Sequence, residues 1–316
     1  MKTAMTLRGI VKRYGRLRAL DGLDLTVPLG SIFGLVGSNG AGKTTAMAVT
    51  VGLLHRAGGE IDVLGEGPFR PERHTGRVSL LPQDSRFPPH ARVEDLLRFY
   101  GRLQGVPAAD LTASIDAVLD WVHLTDRRRS PVRTLSHGMN RRLAIAQAFL
   151  GAPSLVLLDE PLNGLDPREA ARVRDLIRQR RGQLSVVISS HNLADIEALC
   201  DTVAFIEKGR LVRQDALDTI VRRSHRVTYI LARPLDSMDP LQAVTPGVLW
   251  EAGPDGTALT ATFTAPLVAE DLNAAVLAFL LHAKAGILEI RRGSDLESEY
   301  LRMEPPALPA HASATR

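Results

Sequence analysis

Nine consecutive residues near the N-terminus have the spacing of a loop that binds phosphate groups. They satisfy the pattern G-x-x-x-x-G-K-[ST], in which glycines let backbone N–H groups approach phosphate oxygens. In such a loop Lys43 reaches the β- and γ-phosphates, and the Thr44 hydroxyl is a ligand for Mg²⁺. The segment therefore predicts a site for ATP with Mg²⁺. The predicted nucleotide-binding residues of the loop are Gly37, Ser38, Asn39, Gly40, Ala41, Gly42, Lys43, Thr44 and Thr45.

A pair of carboxylates follows a short apolar run later in the chain. Residues 155–158 are all apolar, and Asp159, Glu160 and Pro161 come directly after them. Phosphoryl transfer needs a carboxylate that holds Mg²⁺ and a group that orients the attacking water. We expect Asp159 to take the first role and Glu160 to act as general base. Such a sequence could alone be a turn cap, but the phosphate loop in the same chain favours the catalytic interpretation.

The segments around these residues predict the elements that must position them. A buried strand over 31–36, the loop and a helix over 43–54 give the context that the phosphate motif requires. The alternation of strands and helices predicts an α/β core. Further predicted strands are an antiparallel hairpin within 7–29 and buried strands at 77–81, 155–158 and 185–189, and further predicted helices are 93–103, 111–122 and 138–150.

A third motif, Leu135-Ser136-His137-Gly138-Met139, precedes the helix that leads to the carboxylate strand. Together with the phosphate loop, and in this order, it resembles the signature motif of the ABC ATPases. The resemblance covers roughly residues 5 to 215. It implies a P-loop NTPase (RecA-like) core with an antiparallel β subdomain and a helical subdomain. The helical subdomain would span 84–134 and carry the groove for a membrane partner.

The resemblance also implies roles for single residues. Tyr14 resembles the aromatic that stacks on adenine, Gln83 the Q-loop glutamine that touches Mg²⁺, and His191 the switch histidine that contacts the γ-phosphate. Residues 163–166 resemble the D-loop. Taken alone, Tyr14 also fits a half-exposed strand residue, Gln83 a surface polar residue and His191 a capping residue. The predicted catalytic residues are Lys43, Gln83, Glu160 and His191, and the predicted Mg²⁺ ligands are Thr44, Gln83 and Asp159.

The signature implies that two copies of the ATPase work together. In the family that it resembles, Ser136 and the Gly138 backbone of one subunit face the γ-phosphate held by the other. One phosphate loop and one signature occur in this chain, so a partner is expected. A homodimer is the default by symmetry, and a homologous ATPase subunit is the alternative.

Three departures from the common family pattern bear on function. Ser38 stands where proline is common, and no side-chain ligand is lost there. His137 and Met139 replace the commoner glycine and glutamine, and this form resembles single-domain exporter ATPases, whose tails carry an α+β appendage. Asn163 begins the D-loop in place of a small hydroxyl residue. The second departure favours export.

Composition bounds the remaining possibilities. The 316 residues carry a net charge of +4, with 39 basic and 35 acidic residues interspersed, so nucleic acid is not an expected partner. The arginines at 127–129 and 141–142 are expected to be solvated helix ends or faces. Cys200 is the single cysteine, which excludes an internal disulfide, and it is expected to be a small buried residue. No apolar run approaches the roughly 20 residues that span a bilayer.

The chain is expected to fold as two domains. An ABC ATPase nucleotide-binding domain is predicted over 1–220 and a small accessory α+β domain over 221–303, followed by a Pro/Ala-rich, disordered tail over 304–316. The predicted elements of the accessory domain are strands at 226–231, 247–251, 258–265 and 287–291 and helices at 269–284 and 294–303.

The function that these motifs imply is ATP hydrolysis that powers transport, with export favoured, through a separate transmembrane permease. The protein would then lie in the cytoplasm, peripheral on the inner face of the cell membrane. One alternative is a soluble ABC ATPase that acts on ribosomes or nucleic acid, although such proteins usually carry two nucleotide domains or a coiled-coil insertion. Another is a regulatory subunit without hydrolysis, which the presence of Glu160 and His191 disfavours.

Overall fold

Strands and helices alternate in the first of two compact units, which divide between Ala216 and Leu217. The computed structural model describes residues 2–217, 219, 226–263, 267 and 269–292. The strands of the first unit are β1 (Thr3–Tyr14), β2 (Leu17–Pro28), β3 (Ile32–Val36), β4 (Gly58–Val63), β5 (Val78–Leu81), β6 (Leu155–Asp159), β7 (Ser185–Ser190), β8 (Thr202–Glu207) and β9 (Arg210–Ala216). Its helices are α1 (Lys43–Thr50), α2 (Pro71–His74), α3 (Val93–Leu103), α4 (Leu111–Trp121), α5 (His137–Ala148), α6 (Pro167–Arg178) and α7 (Leu193–Leu199).

A six-stranded sheet in the order β5-β6-β7-β3-β8-β9 forms the centre of this unit. Its strands are parallel except for β9, which runs antiparallel to β8. Every residue of β3, β6 and β7 is buried, as expected for strands covered on both faces. Because these three strands are neighbours and parallel, their carboxyl ends meet at one edge of the sheet. The phosphate loop, the carboxylate pair and His191 all follow at that edge.

An antiparallel sheet in the order β2-β1-β4 accompanies the parallel one. The predicted hairpin is confirmed, but the third strand, β4, was not predicted because only Ile61 and Val63 alternate in it. Gly59 has φ +91°, and a Cβ there would lie 2.5 Å from the Gly9 carbonyl oxygen. Glycine is therefore required where β4 pairs with β1, and because glycine is unfavourable inside strands, the segment does not resemble a strand in the sequence.

The helical subdomain is built from α3 and α4, which share an apolar core with α5. An ion cluster ties these helices to the following segment: the Arg128 guanidinium contacts Glu94 at 2.8 Å and also pairs with Asp116, while Arg98 contacts Glu94 at 2.8 Å. Arg128, predicted to be solvated, is only partly so, because 26% of its side chain is exposed and its guanidinium is held by two carboxylates. The arginines on either side of Glu94 lower the pKa of that carboxyl to about 2, with Arg128 contributing most.

Helices α2, α6 and α7 and strands β8 and β9 were not predicted. The start of α6 is nevertheless encoded by its capping residues. The Asp166 carboxylate accepts hydrogen bonds from the Arg168 and Glu169 amides, and Pro167 is the first helical residue. Cys200 follows α7 and is buried, as expected, and burial raises the pKa of its thiol.

The second unit contains an antiparallel sheet in the order β11-β12-β10-β13. Its core holds Val227, Leu259 and Val276, and the Tyr229 hydroxyl donates to Asn273 Oδ1 at 2.6 Å. The elements are β10 (Arg226–Leu231), α8 (Asp239–Val244), β11 (Leu249–Ala252), β12 (Ala258–Thr262), α9 (Ala269–His282) and β13 (Ile287–Arg292). The α+β character is confirmed, whereas the exact limits of the two domains stay a prediction. The predicted helix 294–303 and tail 304–316 lie outside the described residues.

None of the helices in the described part of the chain is both long and apolar enough to cross a membrane.

Replacing Glu94 by glutamine should weaken the helical subdomain in a pH-dependent way. The folded pKa of Glu94 is about 2, below the ordinary 4.5, so the ion cluster stabilises fully above 4.5 and is lost as pH falls towards 2. We expect Glu94→Gln to lose about 1 kcal/mol at neutral pH, since solvent screens the partly exposed cluster, and the difference from wild type to vanish as pH falls. Denaturant unfolding measured by Trp121 fluorescence in a Trp250→Phe background reports on α4, because the chain has only two tryptophans.

The matched control is Glu60→Gln, which removes an exposed glutamate whose carboxylate lies 4.0 Å from Arg8. That substitution should leave unfolding unchanged at every pH. A Glu94→Gln effect that persists undiminished at low pH would contradict the assignment of the stability to this carboxylate.

Candidate nucleotide site

The phosphate loop is a tight turn between β3 and α1. Gly40 and Gly42 have φ values of +82° and +111°, in the region that glycine alone adopts readily. A Cβ on Gly37 would lie 2.3 Å from the Ile206 carbonyl oxygen, so the loop begins in direct contact with β8. These glycines let the loop turn tightly against β8, and Lys43 follows as the first residue of α1.

Lys43 is buried at the centre of the site, with 6% of its side chain exposed. Its ammonium group donates to the carbonyl oxygens of Gly37 at 2.7 Å and Ser38 at 3.3 Å. The same nitrogen lies 3.4 Å from Glu160 Oε1. Lys43 thus connects the predicted phosphate loop directly to the predicted general base.

Asp159 ends β6 with only 1% of its surface exposed, and hydroxyl groups hold both carboxylate oxygens. Thr44 Oγ1 donates to Asp159 Oδ2 at 2.6 Å, and Ser189 Oγ donates to Asp159 Oδ1 at 2.5 Å. Hydroxyl and carboxylate oxygens are ligands that Mg²⁺ prefers, and its sites commonly use few protein ligands together with phosphates. The juxtaposition of Thr44 and Asp159 fits that ion.

Ser189 was missed by sequence reasoning, although it has two partners in the site. Besides donating to Asp159, its oxygen accepts a hydrogen bond from the Glu160 amide at 2.9 Å. It stands directly opposite Asp159 in the parallel register of β6 and β7. A serine at the end of a buried apolar strand, beside a predicted carboxylate strand, was the signal that could have identified it.

Glu160 is held between two cationic or potentially cationic side chains. His191 Nδ1 lies 3.0 Å from Glu160 Oε2, while Lys43 faces the other oxygen. Glu160 has φ +48°, a left-handed conformation that is unusual for a residue other than glycine. The structure thus brings together Lys43, Thr44, Asp159, Glu160 and His191 from three segments of the chain.

Arg141 lies under this cluster, contrary to the prediction that it is solvated. It is 9% exposed, and Arg142 is 5% exposed. The Arg141 guanidinium donates to four backbone carbonyl oxygens: Pro161 at 2.7 Å, Gln83 at 3.1 Å, Asp159 at 3.2 Å and Glu160 at 2.5 Å. Burial lowers the pKa of Arg141, and nearby carboxylates, Asp159 first, oppose that shift. The error arose because sequence alone does not reveal which helix face meets the carboxylate loop.

The remaining predicted residues, Gln83 and Tyr14, are exposed. The Gln83 side chain is exposed, and Gln83 and Glu160 line one cavity of about 650 Å³. Tyr14 ends β1 with 46% exposure, and the Lys12 ammonium lies 5.0 Å from its ring centroid. Asn192 caps α7 by accepting from the Ala194 amide, so the capping alternative for His191 was wrong.

The signature segment begins α5. The Ser136 side chain caps this helix by accepting from the Met139 amide at 3.2 Å, and it is exposed. A Cβ on Gly138 would lie 2.7 Å from the Cγ of Glu169 on α6, so glycine lets the two helices approach closely. Among the described residues, neither Ser136 nor Gly138 hydrogen-bonds to the phosphate loop.

The fold and the cluster define the class of P-loop ATPases. A family model described as "ABC transporter" matches residues 20–163. The chain is 30% identical over 308 residues to the Nod factor export ATP-binding protein I of Ralstonia nicotianae, covering 95% of this chain and 93% of the relative. It is 36% identical to the daunorubicin resistance ATP-binding protein DrrA3 of Streptomyces coeruleorubidus, covering 69% of this chain and 70% of the relative. The chain belongs to the family of ABC transporter ATP-binding proteins.

Solved structures agree with this assignment. One described as the structure of an ATP-binding subunit of an ABC transporter matches with a TM-score of 0.63 and 26% identity, over 70% of this chain and 93% of its own. The cbiO1 protein of Clostridium perfringens, described as part of the ABC transporter complex cbiONQ, shares the fold at 23% identity, with a TM-score of 0.62 and 70% and 91% coverage. The protein is thus an ATP-binding subunit of an ABC transporter that hydrolyses ATP and works with a transmembrane permease component, as the motifs predicted.

Ser189→Ala should loosen the carboxylate loop. It leaves the buried Glu160 amide and one Asp159 oxygen without a partner, which costs about 1–3 kcal/mol. The control is Ser190→Ala on the same strand, whose hydroxyl, within the part of the chain that the structure describes, bonds only to the backbone of exposed Asn192. Native-state hydrogen exchange at the β6 amides should show faster opening in the first variant than in the second. Equal protection in both would show that the Ser189 bridge does not hold this loop.

Proposed function

We propose that Glu160 orients the water that attacks the γ-phosphate of ATP, while Lys43 and His191 stabilise the charge that develops. The observation that carries this proposal is the placement of the Glu160 carboxylate between the Lys43 ammonium, at 3.4 Å, and the His191 imidazole, at 3.0 Å. A carboxylate whose two oxygens are both held keeps a fixed orientation, so less reorganisation of the base is needed during the reaction. Lys43 then exchanges its loop carbonyl contacts for phosphate oxygens when ATP binds.

Mg²⁺ belongs to this proposal as the cofactor. Thr44 and Asp159 would hold it, and Gln83 would complete the protein contribution from the rim of the cavity. When bound, Mg²⁺ supplies neutralisation of negative charge on the β- and γ-phosphates. In this proposal Tyr14 stacks on the adenine, which its exposed ring at the end of β1 leaves it free to do.

Hydrolysis in this proposal takes place between two copies of the chain. Ser136 is exposed at the N-terminal end of α5, where the helix dipole favours the negative charge of a phosphate. The Ser136 hydroxyl and the Gly138 amide would therefore approach the γ-phosphate held by a second copy. A homodimer is the simplest arrangement, and a homologous ATPase subunit is the other.

Export is the proposed direction of transport. The two relatives compared above are named for Nod factor export and daunorubicin resistance. A separate permease would dock on the helical subdomain, where Phe99 and Leu103 of α3 are 57% and 59% exposed. This docking puts the protein at the inner face of the cell membrane. No observation favours the ribosome or nucleic-acid alternative.

Two substitutions separate ATP binding from hydrolysis. Glu160→Gln should keep ATP binding, lower kcat by at least about 100-fold and accumulate a closed dimer, because the water is no longer activated. Lys43→Ala should lose nucleotide binding, because the phosphates lose their cation. The ATP turnover rate and the nucleotide affinity are measured for each variant, and size-exclusion chromatography with ATP measures the closed dimer. Glu197→Gln, which changes an exposed glutamate on α7, is the control and should behave as wild type. Unchanged turnover in Glu160→Gln would exclude the proposed role.

The transport partner can be tested by purification from solubilised membranes. Recovery of a polytopic membrane protein with the chain, and its loss on substitution of Phe99 and Leu103 by serine, is the expected result. Controls with Leu53→Ser, a 68% exposed leucine outside the helical subdomain, should retain the partner. Recovery of ribosomes or nucleic acid without a membrane protein would contradict the proposal.

A further inference from the structure

Side chains hold both peptide groups that flank Glu160. On its N-terminal side, the Glu160 amide donates to Ser189 Oγ at 2.9 Å. On its C-terminal side, the Glu160 carbonyl accepts from Arg141 Nη2 at 2.5 Å. Arg141 also holds the carbonyls immediately before and after, those of Asp159 and Pro161. The main chain of this one residue is therefore anchored on either side of its Cα.

Such anchoring has a reason in the conformation of Glu160. Its φ of +48° is left-handed, which costs an L-residue roughly 1–2 kcal/mol and persists only when the surroundings hold it. If the peptide relaxed to an ordinary conformation, the Cβ direction would change. The carboxylate would then leave its places beside Lys43 and His191.

We propose that Arg141 is a positioning residue for hydrolysis: its guanidinium holds the carbonyl of Glu160 and so keeps the carboxylate aimed between Lys43 and His191. This inference rests on the proposed role of Glu160. Arg141 does not touch the carboxylate itself. It acts through the backbone, so its contribution is to the rate of the chemical step and not to nucleotide affinity.

The chemistry of the side chain suits this task. A guanidinium presents five N–H donors in a planar fork and no acceptor, so it can bind several carbonyls at once without leaving a polar atom unsatisfied. Arg141 uses its Nε and both terminal nitrogens on the four carbonyls. A lysine ammonium has three donors at one point and cannot reach the carbonyls of Gln83 and Pro161 with the same geometry.

Arg141 also connects Glu160 to the two segments that contact the phosphate and Mg²⁺ in the proposed function. It stands on α5, whose N-cap is Ser136, and its Nη1 donates to the Gln83 carbonyl at 3.1 Å. A displacement of α5 or of the segment at Gln83 therefore pulls on the same guanidinium that orients the base. The rate of hydrolysis becomes sensitive to the contacts of both segments.

The test compares kcat, KM and ATP affinity in Arg141→Gln and Arg141→Lys with those of wild type. We expect kcat to fall about 10- to 100-fold in Arg141→Gln and less in Arg141→Lys, while ATP affinity changes less than about threefold. The matched control is Arg142→Lys. Arg142 is equally buried on the same helix, but it binds Glu169 and the carbonyls of Val122 and His123 instead of the carboxylate loop. It should keep kcat within about threefold of wild type.

A double-mutant cycle distinguishes positioning from general support of the fold. In a Glu160→Gln background, Arg141→Gln should change the residual turnover by less than about twofold, because there is no base left to aim. An additional loss of 10-fold or more in that background overturns the inference. The inference is also overturned if Arg142→Lys, at an equal decrease in Tm, lowers kcat as much as Arg141→Gln does. If Arg141→Gln does not fold, wild-type kcat in folded Arg141→Lys overturns it, and a selective loss of kcat supports it.

Failure of this inference differs from failure of the proposed function. Wild-type turnover in Glu160→Gln would refute the role of Glu160 as the base, and with it the proposed function. Loss of turnover in Glu160→Gln together with full kcat in Arg141→Gln leaves the base in place and refutes only the role of Arg141.

Discussion

Two adjacent carboxylates buried at the end of β6 are the constraint on which this site depends. Asp159 and Glu160 are 1% and 6% exposed, and buried charges are stable only when cations and hydrogen-bond donors compensate them. Hydroxyl groups meet the first carboxylate, while an ammonium and an imidazole meet the second. These compensating groups come from two other segments of the chain, so the burial of one dipeptide brings together the phosphate loop and the end of β7 with the residue after it.

The topology of the central sheet makes this convergence possible. β6, β7 and β3 are consecutive neighbours in space although β3 comes far earlier in the chain. Their parallel register places Ser189 opposite Asp159, and Val36, the last residue of β3, opposite Ser190. The proposed functional residues lie at the carboxyl ends of these strands, within one or two residues of one another in the strand register. The apolar interiors of the same strands supply the rigidity that holds them there.

Sequence reasoning recovered the parts of this arrangement that are encoded locally. The phosphate loop, the carboxylate pair and the buried strands could be recognised because each is a contiguous run with its own spacing. By the same logic, Asp166 and Pro167 would have identified the start of α6. Ser189 and Arg141 were missed because their roles are defined by what lies across the fold, 30 residues from Asp159 and 58 from Gln83 respectively. Strand β4 was missed because the glycine that permits its crossing also interrupts its apolar alternation.

Gly138 leaves no space between the start of α5 and α6, because a Cβ there would lie 2.7 Å from the Cγ of Glu169. The segments that begin these helices, at Ser136 and Asp166, are therefore parts of one stiff body. In the proposed dimer, a second copy would meet a prearranged surface, and little conformational entropy would be lost when that surface is engaged. In that proposed arrangement, the energy of nucleotide-driven association would be available as mechanical work on the permease and would not be consumed in ordering the interface.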